Sequence, residues 1–122
     1  MKQVLIFNSR DELLRMDVDN IVYFEANSNY TIVMSVNKLK ACVGLSLTKT
    51  EDALNRQLGE QARRFMRVGK RFIVNLNYVY SVNMAKQHLI LSDMRNFAFQ
   101  LPISKDALRM MKELMIHKSM KS

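Results

Sequence analysis
Short apolar runs recur about every eight to twelve residues along the chain, parted by polar turns, and this rhythm predicts a mainly β protein. Val4–Phe7 and Leu13–Met16 open the series, and Ile21–Glu25 (IVYFE) continues it. In Tyr30–Val36 the alternation is clean: Tyr30, Ile32, Met34 and Val36 fall on one face and Thr31, Val33 and Ser35 on the other. Between these runs, Ala26-Asn27-Ser28-Asn29 predicts a polar turn whose asparagines tolerate unusual backbone angles. Lys40–Val43 predicts a further strand, then Phe65–Val68, a bend at Gly69-Lys70, and Phe72–Asn75. Tyr78–Met84, His88–Leu91 and Phe97–Leu101 complete the set.

Two stretches change period. Leu47, Leu54 and Leu58 share a helical face, Thr48 and Glu51 form a T-x-x-E capping box, and Gly59 is placed to stop the helix. Ser104 predicts the cap of a second helix, with Asp106 in its first turn and Leu108, Met111 and Met115 as its apolar stripe. The residues from Ile116 onward predict a short, frayed basic tail. Met110, Met111, Met115 and Met120 read as ordinary packing plus that tail, with an adaptable contact surface as the alternative. The expected fold is therefore mainly β, with antiparallel strands in small sheets, one short central helix and a C-terminal helix. All 122 residues fit one domain, with its core at about residues 20–115, N-terminal strands at 1–19 and the tail at 116–122.

Charge sharpens the picture. The net charge is +8 and very uneven: residues 1–61 hold seven Lys/Arg against eight Asp/Glu, whereas residues 62–122 hold twelve against three. Such a skew attracts polyanions, nucleic acid first and an anionic membrane surface second. The single cysteine, Cys42, has no internal disulfide partner, which suits a reducing cytoplasm and predicts a buried structural thiol. The opening residues lack the long apolar region of a secretory signal, and no apolar run approaches the length of a membrane span.

Enzyme chemistry finds little support. The chain has no Gly-rich phosphate loop, no G-x-S-x-G and no H-E-x-x-H. One cysteine and two distant histidines, His88 and His117, do not make a zinc cage, so no metal or other cofactor is expected. Glu25, at the end of an apolar run, reads as the acceptor of a structural hydrogen bond or ion pair.

What remains is Arg63–Asn75, RRFMRVGKRFIVN, with five cations in its first nine residues and no acid. Phe65, Val68, Phe72 and Val74 would anchor it, Arg67 and Arg71 would share a face, and Lys70 would project from the bend. A phosphate-binding loop needs several cations on a rigid scaffold. The competing reading is a basic hairpin balanced by acids folded nearby.

Taken in order, four blocks resemble the LytTR family of bacterial DNA-binding domains. NIVYFEANSNY (residues 20–30) is similar to the family's D-I-x-Y-I-E-A-x-x-x-Y. Ser46-Leu47, through Glu51 to Leu54 and Leu58, is similar to S-L-x-x-L-E-x-x-L. Phe65, Arg67, Lys70 and Phe72 to Asn75 match F-x-R-x-H-[RK]-S-[FY]-[IL]-V-N, and Leu101 to Lys105 resembles L-P-[IV]-S-R. Gly69 replaces the usual His, Arg71 the usual Ser, and Lys105 the usual Arg. Lysine at this last position loses the bidentate geometry.

The resemblance implies loops, rather than a recognition helix, reading paired direct repeats in promoter DNA as the output domain of a transcriptional regulator. Carried over by position, Asn27, Ser28, Asn29, Lys70 and Lys105 are base-contact candidates. Tyr30, Arg63, Arg64, Arg67, Arg71 and Ser104 are phosphate-contact candidates, while Asn75 reads as structural. The nineteen residues ahead of the first block are too few for a phospho-acceptor domain, so control by abundance, a partner or self-association is expected. Double-stranded DNA is the expected partner, with a second copy on an adjacent half-site or a separate regulatory protein beside it. The alternative is a protein-interaction module that sequesters a related regulator without binding DNA itself.

Overall fold
The structure is a computed structural model describing residues 3–121, with side chains described as far as His117. Among the described residues, ten strands and two α-helices fall into two compact units, Met1–Asn77 and Tyr78–Ser122.

The first unit is built on a five-stranded antiparallel sheet. Its members are β3 (Ile21–Asn27), β4 (Tyr30–Ser35), β5 (Lys40–Val43), β6 (Phe65–Val68) and β7 (Phe72–Asn75), in the order β5-β4-β3-β7-β6. The hairpin of β1 (Val4–Asn8) and β2 (Leu13–Asp17) forms a separate two-stranded sheet. One face of the large sheet carries Phe24, Val33, Val43, Phe65 and Ile73, which join Leu5 and Phe7 of β1 in one core. Helix α1 (Leu47–Leu58) closes this core with Leu47, Ala53, Leu54 and Leu58. The opposite face holds Tyr23, Met34, Val68, Phe72 and Val74, all buried. Central strand β3 is covered on both faces, which is why its sequence shows an apolar run instead of alternation.

Polar groups complete the packing. Gln57 of α1 accepts from the Ile6 amide at 2.9 Å and donates to its carbonyl at 2.7 Å, acting as a strand partner for β1. Thr31, fully buried, donates to the Leu45 carbonyl at 2.8 Å and accepts from Thr50 at 3.2 Å. Buried Asn75 donates to the Ile21 carbonyl at 2.9 Å and accepts from the Asn77 amide at 3.0 Å, the structural role its position suggested.

The second unit pairs β8 (Val79–Asn83), β9 (His88–Ser92) and β10 (Ala98–Pro102) in a three-stranded antiparallel sheet ordered β10-β9-β8. Phe97 meets Tyr78 edge to face at 5.3 Å and stacks on Phe99 at 5.2 Å. Asp93 holds the β9–β10 connection. Desolvation opposes its ionisation, but hydrogen bonds from the Arg95, Asn96 and Phe97 amides and the Asn96 side chain lower its carboxyl to about 2. Helix α2 (Lys105–Lys121) packs against β8 and buries Leu108 and Met111.

Four expectations need correction. The cap of α1 is Ser46, whose hydroxyl accepts from the Lys49 amide at 3.2 Å, and not Thr48. Leu47 is 4% exposed and takes its core position only if the helix has already begun there. Cys42 is exposed, because Ala41 and Val43 point the other way from β5. Ser28, not an asparagine, takes the positive φ (+59°) of the β3–β4 turn. The stretch from Ile116 is helical as far as Lys121; the side chain of Met120 lies outside the described residues.

Candidate nucleic-acid interface
The pairing of β3 with β7 decides what the first unit brings together. Glu25 lies opposite Phe72, and the Ala26 amide donates to the Arg71 carbonyl at 2.8 Å. Because the strands are antiparallel, the end of β3 and the start of β7 share one end of the sheet. The β3–β4 turn and the β6–β7 turn therefore emerge side by side. Asn27, Ser28, Asn29 and Tyr30 in the first, and Gly69, Lys70 and Arg71 in the second, are all exposed.

Both turns use unusual backbone. Asn27 pairs with Tyr30, leaving Ser28 and Asn29 as a two-residue hairpin loop. Ser28 at φ +59° stands where glycine is the usual choice, so the tip is strained. Gly69, at φ +67°, carries no such strain. Gly69→Ala is expected to destabilise the fold by about 1–2 kcal/mol through its left-handed backbone, read by chemical denaturation. A neutral result would show that the turn relaxes to another conformation.

The cations of Arg63–Arg71 have distinct surroundings. Arg64, at the far end of β6, pairs with Asp19 at 2.8 Å, and its side chain is 20% exposed. Arg63 beside it is exposed. Arg67 donates to Thr48 Oγ1 at 3.1 Å and to the Lys70 carbonyl at 3.2 Å, and lies 3.5 Å from Glu51 Oε1. Arg71 pairs with Glu25 at 2.7 Å and lies over the Phe72 ring at 5.2 Å. Arg67 and Arg71 thus reach different elements instead of lying together. Among the described residues, Arg63 and Lys70 have no carboxylate partner. Three of the five cations are balanced by acids folded nearby, and the expected ion pair of Glu25 is one of these. Burial, with the charge of Glu25, also raises the Tyr23 hydroxyl above its usual pKa.

The partners Asp19, Glu51 and Thr48 were not singled out as site residues by sequence. They come from distant segments, and Thr48 and Glu51 carried a competing signal as a helix cap.

Ser104 and Lys105 belong to the second unit. Ser104 caps α2: its hydroxyl accepts from the Ala107 amide at 3.3 Å and its carbonyl from the Leu108 amide at 3.0 Å. Lys105, the first helical residue, is exposed. Arg109 pairs with Asp106 at 3.1 Å in the first turn.

A cavity of about 280 Å³ in the first unit, lined by Ile6, Phe7, Leu14, Val43, Leu45 and Arg56 among others, includes none of the candidate contact residues. Among the described residues no group of three or more His, Cys, Asp or Glu is placed to hold a metal ion. No helix there is long and apolar enough to cross a membrane.

Comparison with known proteins fits this architecture. The fold is similar to that of a solved LytTr DNA-binding domain from Bacillus cereus, whose parent is named as a methyl-accepting/DNA response regulator. The two share 21% identity over 94% of this chain and 98% of that one, with a TM-score of 0.65. No curated protein sequence matches the chain. The family model described as the LytTr DNA-binding domain matches residues 11–116, nearly the whole sequence. The chain therefore belongs to the LytTr DNA-binding domain family.

Proposed function
We propose that the chain acts as a single LytTr domain that reads double-stranded DNA at promoter direct repeats and regulates transcription. The observation that carries this reading is the adjacency of the β3–β4 and β6–β7 turns, fixed by the β3–β7 ladder. Together they present amide, hydroxyl and ammonium groups from one end of a rigid sheet. Asn29 and Lys70 suit base edges, since asparagine pairs with adenine and lysine with guanine O6 and N7. Asn27 and Ser28 flank them, and Lys105 is a third base candidate on the second unit. Arg63, Arg64, Arg71, Tyr30 and Ser104 supply phosphate contacts. Exposed ion pairs contribute only about 0–1 kcal/mol, so Arg71, at 60% exposure, can exchange Glu25 for a phosphate oxygen.

Graded losses test the assignment. Lys70→Ala and Asn29→Ala are expected to cost about 1–3 kcal/mol each at the preferred site and to relax preference there. Arg63→Ala is expected to weaken every duplex alike and to reduce the log–log salt slope by about one. Equal losses on all sequences for all three variants would refute the division between readers and clamps. A folded protein that binds no duplex, yet forms a salt-resistant complex with another protein, would overturn the function itself.

A further inference from the structure
Arg67 is the one candidate whose side chain bridges a helix and a contact turn. Its Nη1 reaches Thr48 Oγ1 at 3.1 Å, in the first turn of α1, and Glu51 Oε1 at 3.5 Å, in the next turn. Its Nη2 donates to the Lys70 carbonyl at 3.2 Å, at the β6–β7 turn. A planar guanidinium spans two such sites at once, which an ammonium does not. The helix is itself anchored, because Leu47, Leu54 and Leu58 pack into the core.

We propose that Arg67 is a positioning residue: with Thr48 and Glu51 it locks the Gly69–Arg71 turn to α1, so that Lys70 leaves the turn in one fixed direction. The inference rests on Lys70 reading a base. It also assigns Arg67 differently from the phosphate contact expected by sequence. Two features call for such a lock. Gly69, at φ +67°, gives the turn backbone freedom, and ordering a loose turn upon binding costs affinity and selectivity. The Arg67 charge also faces the Glu51 carboxylate, and the Arg67 side chain is only 29% exposed.

The two roles predict opposite responses. A phosphate clamp tolerates Arg67→Lys, which keeps the charge, and gains from Glu51→Gln on all duplexes equally. A lock loses from both. The experiment measures, for wild type, Arg67→Lys and Glu51→Gln, the ratio of affinities for a selected site and a scrambled duplex. It also measures backbone ¹⁵N order parameters of Gly69 and Lys70 in the free protein. The expected result is a fall of about tenfold in that ratio for each variant, with the salt slope of Arg67→Lys unchanged. In Arg67→Lys the order parameters are expected to fall from about 0.85 toward 0.6. Unchanged order parameters overturn the lock, and so does an unchanged affinity ratio. If wild type shows no sequence preference, the base-reading role of Lys70 fails, while the order parameters still decide whether Arg67 holds the turn. Glu51→Gln is isosteric and lies outside the core, so it keeps the measurement available if Arg67→Lys folds poorly.

Discussion
Phe24→Ala is expected to destabilise the protein by about 3–5 kcal/mol, measured by urea denaturation. Phe24 is fully buried on the central strand of the five-stranded sheet, with β4 on one side and β7 on the other. Its register neighbours are Val33 and Ile73, both members of the same core, and its ring meets Phe65 edge to face at 5.8 Å. Truncation removes the transfer energy of a large side chain and leaves a cavity between sheet and helix. Phe24→Leu retains most of the volume and should cost less than about 1.5 kcal/mol. An alanine variant that loses less than about 1 kcal/mol would contradict this placement of the core.

Asn75→Ala is expected to cost about 2–4 kcal/mol, although it removes only three heavy atoms. Asn75 is wholly buried, and its amide serves the Ile21 carbonyl and the Asn77 amide. Alanine leaves both backbone groups without their partner, and the Ile21 carbonyl belongs to a fully buried residue. Asn75→Asp keeps the acceptor for Asn77 but sets a carboxylate against the Ile21 carbonyl, and should be at least as damaging. The test compares both variants by denaturation. A neutral Asn75→Ala would mean that the β7 end closes over the gap without needing this side chain.

Local patterns in the sequence were enough to place the strands and the helix stop. Lys40–Val43, Phe65–Val68 and Phe72–Asn75 form strands at their expected bounds, and Gly59 ends α1 at φ +58°. Features needing tertiary partners were harder to read. The segment Ser46-Leu47-Thr48-Lys49-Thr50-Glu51 holds three hydroxyls, and only the burial of Leu47 beside Leu54 and Leu58 makes Ser46 the cap in place of Thr48. That choice frees Thr48 and Glu51 to meet Arg67, a residue from another element. Cys42 sits in an unbroken apolar run, Ala41-Cys42-Val43, where no polar residue marks which way each side chain points.

Within the candidate interface, the exposed turns were visible as polar and Gly-containing breaks between strands. The neutralising carboxylates were not, because Arg71 and Glu25 are 46 residues apart in sequence and meet only through the β3–β7 ladder. The basic stretch thus divides by geometry: among the described residues Lys70 and Arg63 have no carboxylate partner, while Arg64, Arg67 and Arg71 are held by acids.

Selection of bound duplexes from a random pool, at moderate salt and with purified protein, shows whether the two turns read sequence. Enrichment of two similar half-sites in direct repeat is expected, with loss of that enrichment at the Lys70 and Asn29 positions in the corresponding alanine variants. A folded protein that enriches no sequence, and binds all duplexes weakly and alike, would contradict this reading.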